Sequence, residues 1–379
     1  MPSLWHEPGI QVQITFVRKT LSACERLLFP ETFAQEWIGR CTRPGQLVAD
    51  PFAGRGTTPF QAVLMGRRAI GADINPVAYV LTAAKIDSPA RASVLKRIAS
   101  LEREFIADEW EDRRLAMPQF FKRAFHHTTL RQLLYLRERT NWKRSKVDRF
   151  VTALALGSLH GEMFSSKSYF SNQMPRTIST KPAYSLRFWH RHGLWPQKRD
   201  VFDILRQRAI YRYQTAPPEI KGSAYLCDAR GIGAMTPDFL GRVDCVVTSP
   251  PYFDVTNYEE DQWLRLWYLG DKDRPTRDVY SRDDRHERED YYWAFLCDAW
   301  KGLHPLLTER SHFVCRLGGK RLSVAGITTA LNASMQFLAR KWKLAYSEVS
   351  AFKRRQTDVF HPGTVGCRFE VNFHFRLQQ

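Results

Sequence analysis

The sequence predicts an α/β fold built on one open sheet and interrupted by a mainly helical, basic insertion. Three observations carry that expectation. The first is a β-α-β unit: a strand at 46–49, a glycine-bearing turn, a helix over 59–65, and a second strand at 69–72 that ends in Asp73. The second is the apolar run Val243 to Val247, which reads as a short buried strand and leads into Thr248-Ser249-Pro250-Pro251-Tyr252. The third is the change of character from 88 to about 221, where helical periodicity and arginines replace strand patterning.

Taken in order, the chain begins with a plausible strand at 10–17. A helix follows with Phe33, Trp37 and Ile38 on one stripe, and it breaks at Pro44-Gly45. The turn of the β-α-β unit is Asp50-Pro51-Phe52-Ala53-Gly54-Arg55-Gly56-Thr57-Thr58, and Asp73 lies 23 residues after Asp50. Glycines at 54 and 56 let a backbone approach a ligand closely, and an acidic side chain about 20 residues on can accept hydrogen bonds from ribose hydroxyls. A full G-x-G-x-x-G fingerprint is missing, so pyrophosphate binding is poorly supported.

Within the insertion, Phe150 to Leu159 reads as a buried helix, and 164–184 is an irregular segment rich in hydroxyls, amides and cations. Such a segment suits contact with polar edges or phosphates, and equally a plain surface loop. Strands follow at 224–227, ending at Asp228, and at 244–247. A helix at 262–269 bears Trp263, Leu266 and Trp267, and 271–290 reads as an exposed loop and helix start. The chain then alternates a helix at 291–303, a strand at 312–317, a helix at 327–342, and strands near 344–352 and 368–376. At 248–252, two prolines cannot continue a sheet ladder. They hold a rigid, extended turn at the strand's carboxyl end, where open α/β sheets place ligands. Taken alone, the five residues read equally well as punctuation.

Composition narrows the partners. The chain has 379 residues and a net charge of +18, and 44% hydrophobic residues are enough to fill a core. Between Arg91 and Lys221 there are 26 Lys and Arg against 12 Asp and Glu, so this third carries +14 of the total. An excess so localised, interleaved with aromatics, favours a polyanion over a merely solvated face. No apolar run approaches membrane-spanning length and no leader is evident, so a cytoplasmic protein is expected. Cys24, Cys41, Cys227, Cys245, Cys297, Cys315 and Cys367 are scattered, without C-x-x-C or metal spacing. They read as free thiols, and no metal is expected.

With both turns in view, the chain resembles the S-adenosylmethionine-dependent amino-methyltransferases of DNA. Asp50 to Thr58 looks like their D-P-F-x-G-x-G-T-T cofactor motif, and Thr248 to Tyr252 like their S/D/N-P-P-Y/F catalytic motif. The resemblance covers roughly 25–85 and 222–379, and implies a Rossmann-like class I methyltransferase sheet. It divides the chain into 1–88, the cofactor-binding part of the catalytic domain, 89–221, a candidate target recognition domain, and 222–379, the part with the catalytic motif. Carried over by position, it implies cofactor contacts from Phe29, Asp50, Phe52, Gly54, Gly56, Thr57, Asp73, Asp228 and Thr248. Asp50 would lie near the amino group of the methionine part, Asp73 on the ribose, Asp228 facing the adenine amino group, and Phe29 against the cofactor. Arg55 departs from the serine common in the family at that place. The insertion also precedes Asp228, whereas in the matching subclass it follows that strand.

The chemistry fits the catalytic turn. An exocyclic amino lone pair is delocalised into its ring, and acceptors for both amino hydrogens favour the geometry in which it can attack. Ser249 Oγ and the Pro250 carbonyl suit that role, Pro251 stiffens the turn, and Tyr252 can stack on a base flipped from a duplex. No Pro-Cys pair is present for attack at the cytosine ring carbon. In the resembling family Ser-Pro-Pro-Tyr goes mostly with cytosine and Asp or Asn at the first position mostly with adenine, so cytosine N4 is expected, ahead of adenine N6, an amino group in RNA, or a non-catalytic nucleic-acid-binding role. Double-stranded DNA is the expected partner, with Lys143, Arg144 and Lys146 on phosphates, Asn172, Gln173 and Arg176 reading sequence, and Lys167 and Lys181 as further cations. A restriction-modification or orphan modification system is the expected setting, and a cognate endonuclease would be the partner in the former.

Overall fold

A computed structural model of the chain describes residues 31–161, 168–171, 173, 181–253, 258–277, 279–280, 288–319, 321–336, 342–351, 367 and 369–377. Two compact units divide the chain. One comprises Leu27–Asp87, Pro218–Thr256 and Tyr280–Gln379, and the other Met1–Arg26, Ser88–Pro217 and Asn257–Val279. The strand expected at 10–17 lies outside the described residues.

The first unit is a seven-stranded sheet: β1 (Leu47–Asp50), β2 (Arg68–Asp73), β3 (Ser223–Leu226), β4 (Val243–Thr248), β5 (Leu307–Gly318), β6 (Trp342–Ala351) and β7 (Phe369–Leu377), in the order β3-β2-β1-β4-β5-β7-β6. The first five strands run parallel. β7 lies antiparallel between β5 and β6. Strand periodicity assigns the two faces. Leu47 and Ala49 enter a core with Trp300, Phe313 and Phe373 beneath the helices Glu289–Leu303 and Val324–Gln336. Helices Glu31–Cys41, Thr57–Leu64 and Pro76–Ile86 pack on the other face. The helix Pro76–Ile86 starts where it does because Asn75 accepts from the Val77 N–H at 2.9 Å and Pro76 presets the first helical φ. Residues 307–311 extend β5 well ahead of the expected 312, through a bulged pairing with β4 at Val243.

The second unit is helical. The helix Tyr258–Tyr268, expected at 262–269 within the segment 222–379, lies in this unit. The physical reason is aromatic packing: Trp263 meets Phe120 at 5.0 Å and Trp267 meets Phe121 at 4.4 Å. The helix Lys146–Leu156, expected at 150–159, begins at Ser145, whose hydroxyl caps the Asp148 N–H. Among the described residues no helix is long and apolar enough to cross a membrane.

Asp148 is the polar anchor of this unit. Its buried carboxylate accepts from Arg97 Nε at 2.7 Å and from the Asn141 N–H at 2.9 Å. Removing it leaves a partly buried guanidinium without its partner, so Asp148→Ala is expected to cost about 3 kcal/mol. Urea unfolding monitored by circular dichroism checks this, and a loss under about 1 kcal/mol would show that water replaces the carboxylate.

Candidate functional site

Both sequence motifs end at the carboxyl edge of the sheet. β1 delivers Asp50 and β4 delivers Thr248, neighbours because the two strands pair directly. Thr248 Oγ1 donates to Asp50 Oδ1 at 2.6 Å, and the Phe52 N–H reaches the same oxygen at 3.1 Å. The turn then crosses towards β2, with the Ala53 N–H donating to the Ala72 carbonyl at 2.9 Å. Gly54 and Gly56 take φ of 53° and 77°, a left-handed backbone that side chains resist. At Gly56 a Cβ would also meet Thr82 Cα at 2.9 Å. Thr57 opens the following helix, and Phe52 packs edge-on against Phe295 and Trp300.

Asp73 lies under this turn. One of its oxygens accepts from the Gly54 N–H and the other from the Asn75 N–H, each at 2.9 Å, which leaves lone pairs for further donors. Burial pushes the Asp50 carboxyl up to about 7, against the pull of its Thr248 and Phe52 hydrogen bonds and with a further push from Asp73. Burial likewise raises Asp73 to about 6. Among the described residues neither acid forms a salt bridge, in a chain of net charge +18. A cradle of close-approach backbone beside two unneutralised acids fits a cationic ligand with donor groups, and S-adenosylmethionine has both. Asp228 is placed differently: both its oxygens hold the Arg230 guanidinium, at 3.0 and 2.7 Å. Phe29 lies outside the described residues.

At the Ser-Pro-Pro-Tyr turn Pro250 is buried, and Ser249, Pro251 and Tyr252 are half-buried. The Tyr252 hydroxyl donates to Glu370 Oε1 at 2.8 Å, and Arg316 Nη1 lies 3.3 Å from Glu370 Oε2. Burial raises the Tyr252 phenol well above its usual range. Ser249 Oγ lies 3.4 Å from the Tyr252 hydroxyl, long for such a bond. Tyr252's one proton goes to Glu370, so towards Tyr252 the serine can only donate. Its lone pairs are left as the outward-facing function. Gly318 makes room for this arrangement, since a Cβ there would meet the Tyr252 ring at 3.0 Å. Glu370 and Arg316 escaped the sequence reading; the available signal was one charge inside the apolar run Phe313 to Leu317.

The residues expected to contact nucleic acid are placed less completely. Lys143, Arg144 and Lys146 are exposed on a turn pinned by Arg149, which donates to the Trp142 and Lys143 carbonyls at 2.8 Å each. Lys181 is exposed, 3.7 Å from Glu260. The expectation for Gln173 is corrected. It is buried, with its amide N–H groups donated to the Arg123 and Ala124 carbonyls, so it holds the fold and cannot read a base edge. Lys167, Asn172 and Arg176 lie outside the described residues.

The strand order, with an antiparallel seventh strand beside the fifth, is that of the Rossmann-like methyltransferase sheet. Residues 23–84 match the family model of N6- and N4-type amino-methyltransferases, described as DNA methylase; the match contains the whole glycine turn and Asp73. Comparison with curated proteins finds no significant match. Similar solved structures include TrmN from Thermus thermophilus, 12% identical over 95% of this chain and 52% of that one, with a TM-score of 0.34. Others are the rRNA methyltransferase aviRa from Streptomyces viridochromogenes (12%, 94% and 89%, 0.33) and an rRNA methylase from Streptococcus thermophilus (6%, 93% and 99%, 0.35). The chain spans about half the length of the TrmN chain.

The raised carboxyls set a pH dependence. Asp50 binds its proton more tightly when folded, so its contribution to stability is complete below about pH 4 and is lost as pH rises through about 7. Asp50→Asn carries no such loss, and the stability advantage of the natural chain over the variant is expected to shrink from pH 5 to pH 8. Thermal unfolding of both across that range checks it; a constant difference would mean that Asp50 is ionised throughout.

Proposed function

We propose that the chain is an S-adenosylmethionine-dependent amino-methyltransferase of DNA, with the N4 amino group of cytosine as its target. The observation that carries this reading is the Thr248 to Asp50 hydrogen bond, which joins the acidic, glycine-lined turn to the strand bearing Ser-Pro-Pro-Tyr. The family match over 23–84 supports the DNA amino-methyltransferase part. The cytosine part rests on Ser249 and its resemblance to cytosine-specific members.

When bound, S-adenosylmethionine supplies a sulfonium methyl as the electrophile. Asp50, Asp73 and the backbone at Phe52, Gly54 and Gly56 would hold it, with Thr57 and Thr248 beside them. Ser249 Oγ and the Pro250 carbonyl accept the two amino hydrogens of the base, which turns the nitrogen lone pair out of conjugation. An acceptor-only Ser249 favours a substrate N–H over a carbonyl oxygen. Proton loss can follow methyl transfer, so the site needs no strong base. Lys143, Arg144 and Lys146 contribute sequence-independent phosphate contacts. The setting in this reading is a restriction-modification or orphan modification system.

Labelled methyl transfer to DNA and RNA in parallel, followed by mass spectrometry of the nucleosides, tests the proposal. N4-methylcytosine in DNA is expected; N6-methyladenine would reassign the base, and label confined to RNA would overturn the substrate. Ser249→Ala is expected to lower kcat by about 100-fold or more, on the scale of one lost oriented hydrogen bond in a transition state. Unchanged turnover would remove Ser249 from the mechanism. Replacing Lys143, Arg144 and Lys146 together with alanine should lower the slope of log affinity against log salt by up to about 3, with sequence preference unchanged. Altered preference in methylation maps of the triple variant would make this turn a reader of sequence.

A further inference from the structure

Three ligand-type side chains meet on the sheet away from the site just described. Cys41 ends the helix Glu31–Cys41, His312 lies in β5 and His374 in β7. His312 Nδ1 and His374 Nε2 are 2.9 Å apart, and Cys41 Sγ is 3.8 Å from His374 Nε2. One donor atom from each residue falls within 4.8 Å of the others. Cys41 and His374 are separated by 333 positions, so no spacing rule could reveal the group.

The arrangement asks more of one proton than it can give. A proton between the two ring nitrogens makes one of them donor and the other acceptor. If His374 Nε2 donates, it has no lone pair for the thiol, and if it accepts, its lone pair is already taken. A cation at the common point serves all three donors at once. Tetrahedral zinc, with bonds of about 2.0–2.1 Å to nitrogen and 2.3 Å to sulfur, sets N···N near 3.3 Å and N···S near 3.5 Å. The observed distances differ from these by about 0.4 and 0.3 Å, within reach of small side-chain rotations.

One sulfur with two imidazoles is a donor set for zinc, whereas magnesium and calcium prefer oxygen. Neighbours hold the donors in place. The Trp37 ring, on the same helix as Cys41, lies 5.0 Å from the His374 ring. A cleft of about 690 Å³ touches both Cys41 and His312 and is lined also by Asp244, Glu309 and Arg310. It offers a route for the ion and room for a water in the fourth position.

We propose that Cys41, His312 and His374 bind one zinc ion, which ties the helix Glu31–Cys41 to β5 and β7. The full chain, stripped with a chelator, loaded with Zn2+ alone and desalted, is expected to retain one zinc per chain by elemental mass spectrometry and to melt at a higher temperature than the stripped form. Loaded with Co2+ instead, it should show tetrahedral visible absorption and a thiolate charge-transfer band. Cys41→Ser, nearly isosteric, should lose that band, His374→Ala should lose the ion, and Cys297→Ser should keep both. Circular dichroism of the metal-free variants separates loss of ligand from loss of fold, and Cys41→Ser carries the test alone if His374→Ala does not fold. A folded natural chain that retains no zinc, or a Cys41→Ser chain that keeps the thiolate band, would overturn the proposal.

Discussion

The hydrogen bond from Thr248 to Asp50 is the contact on which the rest of the site depends. Parallel pairing of β1 and β4 brings two strand ends together whose sequences are 198 residues apart. A buried carboxyl at the first end is costly to ionise, and the threonine hydroxyl and the Phe52 N–H offset part of that cost. What remains is an acid held at the edge of ionisation. A ligand cation at this turn would favour the charged form, which couples occupancy of the glycine turn to the position of Thr248, one residue ahead of Ser249.

The Ser-Pro-Pro-Tyr turn is held from its other side by β5 and β7. Glu370 accepts a hydrogen bond from the Tyr252 hydroxyl, Arg316 faces Glu370, and Arg316 Nε donates to Asn372 Oδ1 at 2.8 Å. Arg316 and Asn372 are buried, where an unpaired member would carry the full penalty of burial. Their mutual satisfaction is what gives the Ser249 hydroxyl a direction. A proline turn alone would fix the backbone and leave the hydroxyl free to rotate.

Much of this was legible in the sequence, and the limits have physical causes. Strand identities followed from apolar runs, because the sheet buries β1, β2 and β4, and the helix Glu31–Cys41 followed from its one apolar stripe. The glycine turn was legible because φ of 53° and 77° demands glycine there. The allegiance of Tyr258–Tyr268 was not, since Trp263 and Trp267 mark burial without saying against what. Gln173 misled for a similar reason: an amide reads as a surface reader until its partners, the Arg123 and Ala124 carbonyls, are known. Glu370 acts across 118 residues from Tyr252, a separation that local pattern cannot span.

The antiparallel pair β5 and β7 links the polar anchor of Tyr252 to the cluster of Cys41, His312 and His374. In β5 the residues 312, 314 and 316 alternate onto one face, and in β7 the residues 370, 372 and 374 do the same. That shared face carries His312 and His374 at one end and Arg316, Asn372 and Glu370 at the other, about 13 Å along the strands. A one-residue slip in this ladder would turn both sets to the opposite face together. The register that aims Glu370 at Tyr252 is therefore the same register that brings His312 against His374, so whatever pins the histidine end also specifies the anchor of the Ser-Pro-Pro-Tyr turn.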